Sequence, residues 1–285
     1  MAGGPAEVTG AREPVVDLVR GRVRVERPGL LDVSASRVAV LAHWSERPTV
    51  TRSFRALVGA LVAGGYRILV VSGATCDSPL GWRESDADGW PDVVRVLRKP
   101  NLGYDFGSWA VGLDSAPWVA RAPYVVLAND SLVGPFAPIG HLIAAFEDSP
   151  ADVWGLTETL QFTRHVQSFL VGYRRGVLDE PPLARFWRTV RHYRDKSQVI
   201  HRGELALGRL MEREGYAVDA ACVAQSVVAA GDNPTITGWR ALLDRGVPFV
   251  KREIVRTPEL APEGDKIGAE VRRRYGTDIR EWWDT

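Results

Sequence analysis

Cysteine is nearly absent. Only Cys76 and Cys222 occur, and neither sits in a paired metal-binding spacing, so no disulfide framework or zinc site is indicated. Excess charge of one sign is missing too. With 36 Lys and Arg against 35 Asp and Glu the formal net charge is +1, so no bulk field draws the chain to nucleic acid or an anionic membrane. No apolar run approaches the roughly 20 residues of a membrane-spanning helix, and the N-terminus lacks the charged-then-apolar layout of a signal peptide. A cytoplasmic protein is the expectation, with peripheral association at the inner face of the membrane or with a biosynthetic complex left open. Internal repeats and heptad arrays are also lacking.

What is present is a chain of 285 residues, 45% hydrophobic and 25% charged, enough for one large domain with a real core. Residues 1–36 mix Gly, Pro, Ala and charge without a sustained period, apart from a short alternating piece at Val19 to Val25, and read as a loose leader. Order is expected from Arg37-Val-Ala-Val-Leu-Ala-His43, a strand, followed by a helical pattern through Phe54, Leu57, Val58 and Leu61 that Gly64-Gly65 closes. Tyr66 to Val71 and Val93 to Leu97 read as further strands around a polar excursion from Ser72 to Pro91. Tyr124-Val-Val-Leu-Ala128 is short, β-branched and bounded by turn formers, a fully buried strand. A helix near Ile139 to Phe146, strands at Val153 to Leu156 and Phe169 to Tyr173, and helical patterns at Ala184 to Tyr193 and Glu204 to Glu214 follow. Residues 233–256 mix turns, a helix and a final Val-Pro-Phe-Val strand, and 257–285 form a helical tail. Strands alternating with helices imply an α/β fold with a Rossmann-like, largely parallel sheet flanked by helices.

Two acidic turns close successive apolar runs, Asn101-Leu-Gly-Tyr-Asp105 and Asn129-Asp130-Ser131. Open α/β sheets bind ligands at the carboxyl ends of their strands. Asp130 can hold Mg²⁺ or Mn²⁺ across two phosphates, or form an ordinary Asx turn. Asn101, Gly103 and Asp105 can approach and hydrogen-bond a sugar or ribose hydroxyl, or Asp105 can cap a helix beginning near Phe106.

Lys99-Pro-Asn-Leu-Gly-Tyr-Asp-Phe-Gly-Ser-Trp109, Leu127-Ala-Asn-Asp-Ser131 with Gly134-Pro135, Gln167-Ser168-Phe169, Asn233-Pro-Thr235 with Trp239, and Pro248-Phe-Val-Lys-Arg252 together resemble the rhamnan synthesis protein F family. The likeness spans roughly residues 37–256, taken as the domain. It implies a GT-A fold and a glycosyltransferase that moves a sugar, with rhamnose suggested by the family's name, from a nucleotide-diphosphate donor to a cell-surface polysaccharide or lipid-linked glycan. In that wider group an Asp-x-Asp-like turn follows the fourth strand; here Ala128-Asn129-Asp130 keeps only the last acid.

The resemblance further implies inversion with one general base. Glu204 is the candidate, in a stripe with Leu207, Leu210 and Met211 at a helix's first turn, where the dipole favours a carboxylate. The same position suits a merely dipole-favoured glutamate. His43 and Trp44, after the first strand, are placed for the donor nucleobase or for core packing. Asn129 and Lys251 join the donor side, with Lys251 and Arg252 otherwise a solvated basic pair. His165, Gln167 and Ser168 are assigned to the acceptor side. Trp154, Trp187 and Trp239 offer surfaces on which sugars stack, or fill the core. A noncatalytic glycan-binding or assembly protein on the same fold is the alternative. A nucleotidyltransferase is disfavoured, because His43-Trp-Ser-Glu46 stands where a Gly-rich phosphate loop would follow the first strand.

Overall fold

Strands that are apolar on both faces demand cover on both sides, and the central strands of this chain are of that kind. The computed structural model describes residues 13–29, 32–82, 90 and 92–283. Over these, a helical turn α1 (Val15–Leu18) and a strand β1 (Arg24–Arg27) come first. Next are β2 (Arg37–His43), α2 (Arg52–Ala63), β3 (Arg67–Ser72), β4 (Val94–Arg98), α3 (Tyr104–Ser115) and β5 (Tyr124–Asn129). The two-residue β6 (Leu132–Val133) precedes α4 (Gly140–Asp148), β7 (Val153–Thr159), β8 (His165–Val166), β9 (Leu170–Arg174) and α5 (Pro181–Arg188). Then α6 (Lys196–Val199), a π turn (Ile200–Glu204) and α7 (Leu205–Glu214) run on without a break. The remainder holds β10 (Val218–Cys222), α8 (Trp239–Asp244), β11 (Val250–Lys251), α9 (Arg252–Arg256) and α10 (Ile267–Tyr275).

The main sheet runs β1-β4-β3-β2-β5-β9-β7-β10, with β8 paired to β7. Its centre, β4-β3-β2-β5, is parallel. β9 lies antiparallel between β5 and β7, and β10 is parallel to β7. This is the α/β, GT-A-like architecture, in which one strand period sorts the core into two layers. Val38, Val40 and Ala42 face Phe106, Trp109 and Ala110 of α3, while Ala39 and Leu41 face Phe54, Leu57 and Val58 of α2.

The leader expectation needs correcting over its described part. Val15, Val16 and Val19 are buried in the layer that holds α3, and β1 extends the sheet antiparallel to β4. Three valines within one helical turn bury enough apolar surface to order a segment too short to show a period. Residues 1–12 lie outside the described residues, as do parts of the polar excursion at 83–89 and 91. The helical tail packs onto the body: Ile267 and Val271 of α10 and Trp282 join Phe136, Trp239 and Ile254 in a third apolar cluster. Trp154, Trp187 and Trp239 are all buried, which resolves them as core.

Two late segments also differ from expectation. The final strand is Val250–Lys251, and it pairs with β6 in a separate small sheet, Val250 opposite Val133 and Lys251 opposite Leu132. Helix α5 stops at Arg188, short of Tyr193, because the chain turns back at Thr189 to hydrogen-bond Val190 O to Val15 N. Among the described residues no helix is long and apolar enough to cross a membrane.

Candidate active site

Strands β2, β3, β4 and β5 end at His43, Ser72, Arg98 and Asn129 on one margin of the sheet. Beside β5 that margin opens into a cleft of about 500 Å³, of the size small ligands occupy, whose walls include Asp105, Asn129, Asp130, His165, Glu204, Lys251 and Arg252. Residues from opposite ends of the sequence meet here because the β6–β11 ladder pins the late chain beside the β5 turn. The backbone N–H of Arg252 donates to Ser131 O at 2.8 Å.

Asn129 ties three elements together. Its Oδ1 accepts from Ser131 N (3.0 Å), closing an Asx turn, and its Nδ2 donates to Asp105 Oδ2 (2.8 Å). The turn aims Asp130 into the cleft, where Oδ2 accepts from Trp44 N (3.2 Å) and lies 3.5 Å from Arg252 Nη1. Arg252 Nε is buried with no hydrogen-bond partner among the described residues. An unpartnered guanidinium donor is costly to bury, and it suits an anionic oxygen.

Asp105 lies in the first turn of α3 behind Gly103, so it is not the helix cap. Its carboxyl, walled by protein although the cleft reaches it, is pushed up to about 7 by burial and by the charge of Asp130, against Lys99, Arg252 and the Asn129 hydrogen bond. Lys99 is buried, donating to Pro100 O and Leu102 O at 3.1 and 2.8 Å, and burial pulls it down to about 8. Burial likewise lowers Lys251, with Glu253 and Glu204 acting in the opposite direction.

Glu204 ends the π turn, which corrects its expected place. The helical run starts at Asp195, whose side chain caps it by accepting from Gln198 N, so Glu204 stands well inside the run and no helix N-terminus sustains its charge. The π turn offsets the side chain from the α-helical stripe, a device frequent at functional sites. Oε1 of Glu204 accepts from Ser168 N (2.7 Å) and lies 3.9 Å from His165 Nε2. Because His165 Nδ1 faces the Thr163 carbonyl at 2.8 Å, Nδ1 carries a proton.

Other expected residues sit elsewhere. His43 is buried, its Nδ1 3.0 Å from Ser72 Oγ and its ring 4.9 Å from that of Phe54, and burial lowers its pKa; it is core and does not line the cleft. Trp44 contributes its backbone N–H while its ring is exposed. Asn101 opens instead on a neighbouring pocket of about 330 Å³ with Arg22, Arg24, Thr75 and Lys99. Gly103 has φ +82°, and a Cβ there would come within 2.6 Å of Val15 Cγ2; the glycine admits the leader helix, not a ligand. Gln167 lines the cleft, but its amide group is spent bridging Thr157 (2.7 Å) and Asn233 (3.2 Å). Ser168 contributes its backbone to Glu204.

Lys196, Glu253 and Arg256 also line the cleft. These were missed because their sequence neighbourhoods show only ordinary helix charges. For a divalent cation, Asp130 offers one carboxylate, and the Asn129 amide, engaged on both sides, adds nothing. Among the described residues no group of three or more His, Cys, Asp or Glu could hold a metal. What the protein offers a cation is therefore the single Asp130 carboxylate, with Arg252 3.5 Å away, and further ligands would have to come from phosphate and water.

The profile of the rhamnan synthesis protein F family matches residues 84–274, well over half of the chain. The chain belongs to the rhamnan synthesis protein F family. Virulence protein VirA of Vibrio anguillarum is 30% identical over 221 residues, 66% of this chain and 70% of that one. Uncharacterized protein y4gN of Sinorhizobium fredii is 24% identical over 154 residues, 52% of this chain and 40% of that one. Family membership ties this rhamnan synthesis protein F relative to polysaccharide synthesis, and the matched stretch contains every cleft residue named above.

Proposed function

We propose that the chain is an inverting glycosyltransferase that moves a sugar from a nucleotide-diphosphate donor to a glycan or lipid-linked acceptor. The observation that carries this reading is that Asp130, with Arg252 beside it, and Glu204 line one cleft. In the proposed reaction an acceptor hydroxyl attacks the anomeric carbon and Glu204 takes the hydroxyl proton. The bond from that carbon to the diphosphate oxygen breaks on the opposite face. Arg252 and Lys251 bind the departing diphosphate, and Ser168 N holds Glu204 in position. A Mg²⁺ or Mn²⁺ ion at Asp130 would add positive charge across the two phosphates. Asn129 orients the Asp130 turn, and Asp105 offers hydrogen bonds to the donor's hydroxyls.

Replacing a general base typically costs 10²- to 10⁴-fold. Glu204→Gln and Asp130→Ala should each reduce donor turnover by at least about that lower factor, with nucleoside diphosphate binding retained in Glu204→Gln. Turnover near the native rate in both variants removes the mechanism. A noncatalytic glycan-binding role draws support from Glu204 Oε1, already engaged by Ser168 N. Calorimetry with UDP, dTDP and GDP plus Mg²⁺ separates the readings, since a glycan-only binder has no use for a nucleotide.

A further inference from the structure

Tyr104 and Phe162 break two rules of folding stability at once. Both belong to the exposed large hydrophobic residues, at 43% and 74% exposure. Both also hold positive φ, +53° and +70°, a region where a bulky L-residue is strained by about 1–3 kcal/mol. A glycine or asparagine would relieve the backbone, and a polar side chain would relieve the exposure. Local conformation does not account for an aromatic ring at either position, and packing covers little of Phe162. Both rings line the cleft that holds Asp130 and Glu204.

We propose that Tyr104 and Phe162 form a stacking site for a pyranose ring of the acceptor glycan, an inference that rests on the transferase reading above. Phe162 lies on the base's side of the cleft: its ring is 6.0 Å from that of His201, which belongs to the same π turn as Glu204. Tyr104 precedes Asp105, with its ring stacked on His192 at 6.4 Å and 20°. Aromatic faces receive the C–H face of a sugar, while its hydroxyls need polar partners at the edge. Gln161 supplies such a group on these walls through its Nε2, while Thr159 and Asn233 line them with Thr159 Oγ1 accepting from Gln161 N (3.1 Å) and the Asn233 amide held by Gln161, Gln167 and Thr235. A lipid tail would call for a continuous apolar groove, and these polar side chains interrupt it. The buried tryptophans cannot serve this purpose.

The test is saturation-transfer NMR and calorimetry on the full chain, with oligosaccharides of rhamnose, glucose, galactose and N-acetylglucosamine, in the presence of UDP, dTDP or GDP. Phe162 is exposed, so Phe162→Ala should fold and melt as the native protein does. At least one oligosaccharide should bind the native chain through its ring C–H protons. Phe162→Ala should weaken that binding about tenfold, the size of a lost aromatic contact, and Phe162→Tyr should restore it to within about threefold. The proposal is overturned if no oligosaccharide binds the native chain, if Phe162→Ala binds as tightly as native, or if nucleotide affinity falls in parallel, which would assign the ring to the nucleobase. Nucleotide binding by the native chain reads the transferase proposal separately: nucleotide without glycan sinks this inference alone, and glycan without nucleotide sinks the transferase reading while keeping the stacking site.

Discussion

At Asp105 the cleft's chemistry and the fold's stability oppose each other. Its carboxyl titrates near 7 in the folded chain against an ordinary value of 3.8. Between about pH 4 and 7 the folded state therefore holds a proton that the unfolded state has lost, so stability falls as pH rises through that window. Asp105→Asn abolishes this dependence and keeps a partner for Asn129. The melting temperature of the variant relative to native should climb from pH 4 to 7 and then level off; a difference that stays constant with pH would contradict the assignment. His43 shows the converse case. A histidine after a strand suggests a ligand contact, but Ser72 on the adjacent parallel strand takes its Nδ1, a pairing visible only once the register is known.

Among the elements, strands were the most readable. β2 matches its expected span, and β3, β4 and β5 lie within a residue of theirs, because a β-branched run bounded by turn formers has few other solutions. The π turn had no sequence signal. Residues 204–214 fit an α-helical stripe whether the run begins at Glu204 or at Lys196, so the start was misplaced and a dipole argument attached to it. The β6–β11 ladder was equally hidden, since two-residue strands carry no period, and Arg252 was undervalued for that reason. Strand β9 carries a tighter constraint. A Cβ at Gly172 would come 2.2 Å from the ring of Phe146, which is itself packed against Tyr124 and Trp154. Gly172→Ala should destabilise the fold by about 1–3 kcal/mol through overpacking, lowering the melting temperature by several degrees. An unchanged melting temperature would mean that α4 shifts freely on the sheet.

On the scale of the molecule, the near-neutral charge conceals a strongly charged interior cleft. Asp105, Asp130, Glu204 and Glu253 line it together with Lys196, Lys251, Arg252 and Arg256, brought together by the parallel centre, the small β6–β11 sheet and the helix with the π turn. Composition could exclude a bulk electrostatic field but could not reveal this local concentration. Its location at the strands' carboxyl margin was legible, and so was the membership of Asp130 and Glu204. The central claim is that this single cleft seats a donor between those two carboxylates. A crystal structure of the chain soaked with UDP-, dTDP- and GDP-sugars tests it most directly. The account predicts a diphosphate within hydrogen-bonding reach of Arg252 beside Asp130, with the anomeric carbon turned toward Glu204. A nucleotide bound in the Arg22–Arg24 pocket with its diphosphate directed away from Asp130, or no binding by any of the three, would contradict it.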